Sequence, residues 1–179
     1  AVNDAQACAQ APAAGLRCLQ GGGSWTALES YDRPAVLLLV AAEGRRVPVL
    51  LREVLGSQVK ITLDDHDMEV PIADLKRHWF GEYRLLWKTP PNGSISLSYG
   101  ERSADVKWLR EQLQRATGLT SIAPDPMVFD AGLKELVQTF QRDRELNADG
   151  VAGARTFINL NNLGTQPSVP RLGARGLSG

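Results

Sequence analysis

From residue 35 the chain alternates short apolar runs with glycine-bearing polar breaks. Ala35 to Ala42 is a continuous apolar run, the pattern of a buried strand. Arg46 to Leu51 and Gln58 to Leu63 follow, bounded by turns at Gly44 and Gly56, and Glu82 to Trp87 is a further strand candidate. Ile72 to Trp79 predicts a short helical turn between strands. Ahead of the sheet, Ala5 to Gln10 and Ser24 to Ser30 are helix candidates, and the Ser24 hydroxyl suits an N-cap because it can accept an orphan amide of the first turn. Gly21-Gly22-Gly23 predicts a flexible loop. The short connections favour antiparallel neighbours, so this part is read as α+β.

Two prolines and a glycine in Thr89-Pro90-Pro91-Asn92-Gly93 can continue neither a helix nor a central strand. After a short extended segment, Ser94 to Tyr99, the period changes. Val106, Leu109, Leu113 and Ala116 recur at steps of three and four and form one helix face. Ser103 is its expected cap, with Asp105 favourably placed against the first-turn dipole, and Gly118 its expected stop. Asp130 caps a second helix with Leu133, Leu136, Val137 and Phe140 inward. A tight turn at Asn147-Ala148-Asp149-Gly150 leads to a third, opened by Gly153 and carrying Phe157, Leu160 and Leu163. These anchors can make a small three-helix core, marginal in size. The pattern divides the chain into 1–93, 94–163 and a Gly-, Pro-, Ser- and Arg-rich tail, 164–179, expected to be extended or loosely held.

Charge narrows the partners. Lys+Arg and Asp+Glu are both 20, so the basic excess of a nucleic-acid binder is missing. The longest apolar run falls far short of the ~20 residues of a membrane span. The first residues, Ala1-Val2-Asn3-Asp4, do not read as a signal peptide, which suggests a mature form or a piece of something longer. Two cysteines, Cys8 and Cys18, are too few for a zinc site, and their spacing fits either a small disulfide loop or two reduced thiols. No cofactor or metal is implied. His66, in Asp64-Asp65-His66-Asp67, reads as part of a solvated turn, and His78 as packed or exposed. The four tryptophans, Trp25, Trp79, Trp87 and Trp108, read as core or interface anchors.

The second half carries a spaced motif. Val106 and Leu109, Phe140-Gln141, Leu146, Asp149-Gly150, Gly153 and Thr156 fit a Val-x-x-Leu helix, a Phe-Gln pair and then Leu-x-x-Asp-Gly-x-x-Gly-x-x-Thr. On these residues Ser103 to Leu163 resembles the peptidoglycan-binding-domain family. One departure is the Thr120 to Met127 stretch, with Pro124 and Pro126, longer than the family's usual loop before its second helix. Most of the motif serves the fold: Phe140 and Val106 as core, Gly150 for positive φ, Asp149 for loop amides, Thr156 near the third helix. The resemblance makes Phe140, Gln141, Arg142, Asn147, Asp149, Gly150, Gly153, Arg155 and Thr156 the candidate wall-binding set. Within it Gln141 and the edges of the Asp149 loop are expected to touch ligand. An amide suits the ligand's amides, and Arg142, Arg144 or Arg155 could meet a carboxylate.

The first half has its own likeness. Gly15-Leu16-Arg17-Cys18, Gly23-Ser24-Trp25, Arg33-Pro34-Ala35-Val36-Leu37, Trp79, Gly81, Tyr83 and Leu86-Trp87 resemble the periplasmic region of the general secretion pathway protein A family. That region is related to papain-like bacteriocin-processing cysteine peptidases and is followed by a peptidoglycan-binding domain, the order seen here. The resemblance implies a periplasmic location and favours a Cys8–Cys18 disulfide. A working peptidase needs a thiolate, a histidine to activate it and an acid to orient that histidine. Where the relatives place the histidine, this chain reads Gly44-Arg45-Arg46-Val47, and arginine cannot accept the proton. Asp64 could stand in the acid's place but would have nothing to orient. The nucleophile's place falls near Val2-Asn3-Asp4, so Cys8 and Cys18 are both misplaced for it.

The expectation is therefore a degenerate papain-like α+β domain with an antiparallel sheet, followed by a three-helix peptidoglycan-binding domain. It would be a non-catalytic module tethering a type II secretion assembly factor to the wall and assisting secretin assembly. Peptidoglycan is the expected partner. A secretin, an inner-membrane partner of the secretion system and a homo-oligomer are allowed by the resemblance. The rival is a cysteine peptidase or wall hydrolase targeted by its binding domain.

Overall fold

A computed structural model describes residues 8–163 and 171–173. The described residues form two compact units: 8–87 together with 171–173, and 88–163. The boundary lies at Trp87/Lys88, earlier than the expected 93/94, because the Pro90–Ser94 loop is hydrogen-bonded into the second unit. Residues 164–170 and 174–179 of the expected extended tail lie outside the described residues. Residues 171–173 correct that expectation, being folded onto the first unit.

In the first unit, six strands among the described residues form one sheet: β1 (Leu16–Gly22), β2 (Ala35–Val40), β3 (Arg46–Leu55), β4 (Gln58–Leu63), β5 (His66–Pro71) and β6 (Trp79–Lys88). Their spatial order is β1-β6-β2-β3-β4-β5, and β2 runs antiparallel to both β6 and β3. The β3–β4 and β4–β5 pairs are antiparallel too, as tight connections require. Helix α1 (Trp25–Tyr31) has the predicted Ser24 cap, whose hydroxyl accepts from the Ala27 amide at 3.1 Å. Helix α2 (Ile72–His78) leads into β6. Leu28, Tyr31, Leu37, Val49, Leu51, Val59 and Tyr83 are buried at the centre of this core. Trp25 and Trp79 meet edge to face, with ring centroids 6.0 Å apart.

Two strands differ from the sequence reading. Gly21 and Gly22 end β1 instead of forming a flexible loop. The reason is close approach: a Cβ on Gly21 would sit 3.0 Å from the Tyr83 hydroxyl, and one on Gly81 2.7 Å from the Gly23 carbonyl oxygen. The second is β5. The turn is only Asp64-Asp65, both at positive φ, and His66 already pairs with Leu63 across the hairpin. Two positive-φ residues match the right-handed twist of the flanking strands.

Cys8 and Cys18 form a disulfide, with Cα atoms 5.2 Å apart. Residues Cys8 to Gln10 are helical, while residues 5–7 of that helix candidate lie outside the described residues. The bond closes a short loop against β1. Converting both cysteines to serine is expected to lower the stability of the first unit by about 2–3 kcal/mol, mainly by freeing the unfolded chain. The measurement is the urea-unfolding midpoint of the double variant, and an unshifted midpoint would count against a stabilising role.

In the second unit, α3 (Ala104–Thr117), α4 (Ala131–Asp143) and α5 (Ala154–Leu163) pack around Val106, Leu109, Leu113, Leu133, Val137, Phe140 and Phe157. The caps fall where the sequence put them. Ser103 accepts from Val106, Asp130 accepts from Leu133, and Gly118 ends α3 at φ 71°. Leu163, expected inward, is 42% exposed at the last position of α5. Among the described residues no helix is long and apolar enough to cross a membrane.

Candidate functional site

The Phe140–Thr156 motif builds one substructure at the junction of α4 and α5. The Asn147–Gly153 loop has no helix or strand of its own, so its backbone groups need partners. Gln141 supplies two of them, at the Gly150 amide and the Val151 carbonyl. Its Nε2 donates to Asp149 Oδ1 at 3.1 Å, the Val151 carbonyl at 2.9 Å and Thr156 Oγ1 at 3.2 Å. Its Oε1 accepts from the Gly150 amide at 3.0 Å. Asp149 Oδ1 also accepts from the Val151 amide at 2.8 Å, and Asn147 donates to its Oδ2 at 3.3 Å. Gly150 sits at φ 77°, and a Cβ there would be 2.8 Å from Lys134 Cγ. On the other side Leu97 and Ala152 exchange both backbone bonds, at 3.0 and 2.9 Å, tying the loop to the segment that precedes α3.

The structure sorts the candidate set into two groups. Phe140, Gln141, Gly150 and Thr156 are buried, with Gln141 only 2% exposed. Phe140 is core, and Arg144 stacks over its ring at 5.6 Å. Gln141 therefore does not present a free amide to a ligand: its oxygen and nitrogen are committed inside the protein. The outward-facing members are Arg142, Asn147, Asp149 and Arg155, with Gly153 half-buried. Arg142 bonds Thr139 at 3.0 Å. Val151 joins them as a partly exposed apolar residue that sequence reasoning passed over. Buried polar groups hold the loop from below, and a small group of polar and cationic side chains sits on top.

Asp105 is a second organiser that motif reading understated. Expected only to favour the α3 dipole, it is fully buried and binds the loop ahead of the helix. Oδ1 accepts from the Asn92 amide and Asn92 Nδ2, both at 2.9 Å, and Oδ2 from the Ser94 amide at 3.1 Å. Burial alone would push its carboxyl up. The bonds from Ser94 and Asn92 outweigh that and hold it below the ordinary 3.8. A carboxyl lowered on folding contributes stability that is present above its unfolded value and lost as pH falls through its folded one. Asp105→Asn keeps the shape but loses the charge, and hydrogen bonds to charged groups contribute roughly 1.5–3 kcal/mol. The variant is expected to unfold earlier at neutral pH, and the gap to the parent is expected to narrow as pH falls below the ordinary carboxylate value and through the lowered one, where the parent carboxyl takes up its proton too. A difference in unfolding midpoint that stays constant between neutral and acid pH would contradict this.

The places of the peptidase residues can now be seen. Arg46 opens β3 opposite Val40 and forms an exposed ion pair with Glu82. Asp64 lies in the left-handed turn, and its carbonyl, not its carboxylate, faces His66 Nδ1 at 2.8 Å. His66 and His78 are both exposed. The segment Val2-Asn3-Asp4 lies outside the described residues.

Comparison with known proteins agrees with both halves. Residues 102–160 match the family model described as "Putative peptidoglycan binding domain". General secretion pathway protein A of Aeromonas hydrophila is 34% identical over 167 residues, covering 92% of this chain and 30% of that protein. "Putative general secretion pathway protein A" of Escherichia coli (strain K12) is 28% identical, covering 88% of this chain and 32% of that protein. The chain thus spans about a third of the length of these relatives. A crystal structure of a periplasmic domain of the EpsAB fusion protein of the Vibrio vulnificus type II secretion system superposes with a TM-score of 0.54. It is 27% identical, covering 87% of this chain and 68% of that one. The resemblance read from the sequence is borne out, as are the α+β class with its antiparallel sheet and the disulfide.

Proposed function

We propose that this chain is a non-catalytic wall-binding module of the periplasm, which tethers a type II secretion assembly factor to peptidoglycan and thereby assists secretin assembly. The observation that carries the reading is the match of residues 102–160 to a peptidoglycan-binding family, with its Asn147–Gly153 loop held from inside by Gln141. Binding is expected on the outer edge of that loop, through Asn147, Asp149, Arg142 and Arg155. Loops on a rigid scaffold are where binding residues concentrate. A guanidinium there suits stem-peptide carboxylates. Weak contacts at several copies add up to firm attachment by avidity.

Two features favour a module without peptidase chemistry. Both cysteines are consumed in the disulfide, so neither offers a thiolate. At the histidine's expected place Arg46 is paired with Glu82, and a guanidinium is no base.

The test is co-sedimentation with purified sacculi. The chain is expected to pellet with sacculi, and Arg142→Ala with Arg155→Ala to weaken pelleting several-fold while leaving the unfolding midpoint unchanged. Failure of the parent chain to pellet would overturn the reading. Unchanged pelleting of the folded double variant would move the site elsewhere. Cleavage of double-glycine peptides or wall fragments, blocked by a thiol reagent, would favour the peptidase rival.

A further inference from the structure

Tyr99 stands on a turn whose backbone is pinned from two sides. The turn runs from Ser98 to Glu101 and is closed by the Glu101 amide, which donates to the Ser98 carbonyl at 3.2 Å. Gly100 fills its third position at φ 89°, the left-handed place that such a turn reserves for glycine. Glu101 Oε1 accepts from the Ser98 amide at 2.9 Å and from the Ser98 hydroxyl at 2.7 Å. The Gly100 amide donates to the Phe129 carbonyl at 2.9 Å, and the Phe129 amide to the Glu101 carbonyl at 2.8 Å. The turn is thus locked to the residue before the α4 cap, yet the Tyr99 side chain is 64% exposed. The other rings of the second unit are used inwardly. Phe129, Phe140 and Phe157 are buried, and Trp108 is half-buried beside Phe157.

The turn adjoins the loop already assigned to wall binding. Leu97 exchanges both backbone bonds with Ala152, and the two residues from Leu97 to Tyr99 span at most about 7 Å. Lys134 of α4 lies against the same loop. A Cβ on Gly150 would meet its Cγ at 2.8 Å and its Cε at 3.1 Å, so the lysine stem runs across Gly150. None of the ion pairs among the described residues involves its ammonium. One turn further on, Gln138 donates to the Ala148 carbonyl at 3.4 Å, and Arg142 follows after another turn. Residues four apart are neighbours on a helix, so Lys134, Gln138 and Arg142 make one row along the loop, with its two cations about 12 Å apart.

An aromatic ring held on a rigid turn loses little freedom when a ligand covers it. It suits a ligand with an apolar face, and a pyranose ring has one, whose C–H groups meet the negative face of the aromatic ring. An ammonium without an ion pair suits a carboxylate. A glycan strand bearing stem peptides carries both groups. Building on the wall-binding reading, we infer that Tyr99 and Lys134 form a two-part subsite, in which Tyr99 stacks on a sugar of the glycan and Lys134 pairs with a stem-peptide carboxylate. Tyr99 lies outside the matched 102–160 region, and no position of the spaced motif falls on Lys134.

The test is an NMR titration of the whole chain with a soluble disaccharide–peptide unit of the wall. Tyr99→Ala is expected to weaken binding about five-fold, and Tyr99→Phe, which keeps the ring, to bind as the parent does. Binding of the same stem peptide without its sugars is expected to be equal in Tyr99→Ala and the parent. Lys134→Met keeps the stem over Gly150 and is expected to weaken binding several-fold, with no loss once the ligand's carboxyls are amidated. Unfolding midpoints should match the parent. Should Tyr99→Ala unfold early, Tyr99→Leu, with apolar bulk but no ring, takes its place. Unchanged binding in the ring-less variant, or an equal loss toward the sugar-free peptide, would overturn the stacking role. A Lys134→Met loss that persists on the amidated ligand would overturn the ion pair. Pelleting with sacculi keeps the two readings apart. If the parent pellets and both variants pellet equally well, this inference fails alone; if the parent does not pellet, wall binding itself fails.

Discussion

Replacing Gln141 by alanine is expected to destabilise the second unit by about 3–4 kcal/mol, well beyond the effect of trimming one surface contact. The side chain is 2% exposed and serves four partners: Asp149, Gly150, Val151 and Thr156. Its removal orphans the buried Gly150 amide, which costs about 1–3 kcal/mol, and the lost bonds to Asp149, Thr156 and the Val151 carbonyl add to that, although the carbonyl keeps its bond from the Gly153 amide. Glutamate is no substitute. It keeps an acceptor for Gly150 but turns the donors into a second carboxylate beside Asp149. Both variants should therefore lose cooperative unfolding at lower denaturant, and loss of sacculus binding should follow the loss of fold. A Gln141→Ala chain that unfolds at the parent midpoint yet no longer binds would restore a direct ligand contact.

The reason Gln141 read as a ligand residue lies in its place on the helix. Spacing assigned Leu133, Leu136, Val137 and Phe140 to the inner face, and all four are buried. Position 141 belongs to that face as well, but it carries an amide, and residue type argued for the outside. What decides the matter is a loop distant in sequence that lacks partners of its own, and periodicity carries no information about it. Arg110 and Asp105 on α3 were hidden for the same reason, since each is a buried polar residue serving a loop. By contrast the Ser24, Ser103 and Asp130 caps were legible, because capping is settled within three residues. Strand β5 escaped because Asp64-Asp65 is an unusual pair for a turn with both residues at positive φ, and His66, Asp67 and Glu69 lack an alternating pattern. The Arg171–Gly173 contact is longer in range still: its partner, Asp32, is 139 residues from Arg171, and a Gly- and Pro-rich composition gives no hint of it.

Arg110 is the second place where a large effect is expected. Its guanidinium is 4% exposed and holds the 119–128 loop from inside. Nη1 donates to Ser121 Oγ at 2.6 Å, Nη2 to the Val128 carbonyl at 2.7 Å, and Nε to the Pro126 carbonyl at 3.4 Å. Nη2 also lies 3.2 Å from Asp130 Oδ1, the oxygen that caps α4. One side chain on α3 thus fixes the loop and the start of the next helix. Residues 119–127 have no helix or strand of their own, so such an anchor matters to their order. The loop contains Pro124 and Pro126, which supply no amides, and it exposes Ile122 at 90%. With little apolar burial of its own, it depends on the guanidinium for order. Arg110→Leu keeps much of the volume but orphans three acceptors and leaves Asp130 without its partner. Removing one member of a buried pair typically costs about 3–5 kcal/mol, and the partial exposure of Asp130 places the expectation near the lower end, about 3 kcal/mol. Arg110→Lys should recover only part of this, because a single ammonium cannot reproduce a planar fork aimed at separate acceptors. The readouts are the unfolding midpoint and amide exchange across 119–128, which should accelerate in both variants and more in Leu than in Lys. If Arg110→Leu unfolds within about 0.5 kcal/mol of the parent, as ordinary surface changes do, the loop is held by something other than its buried arginine.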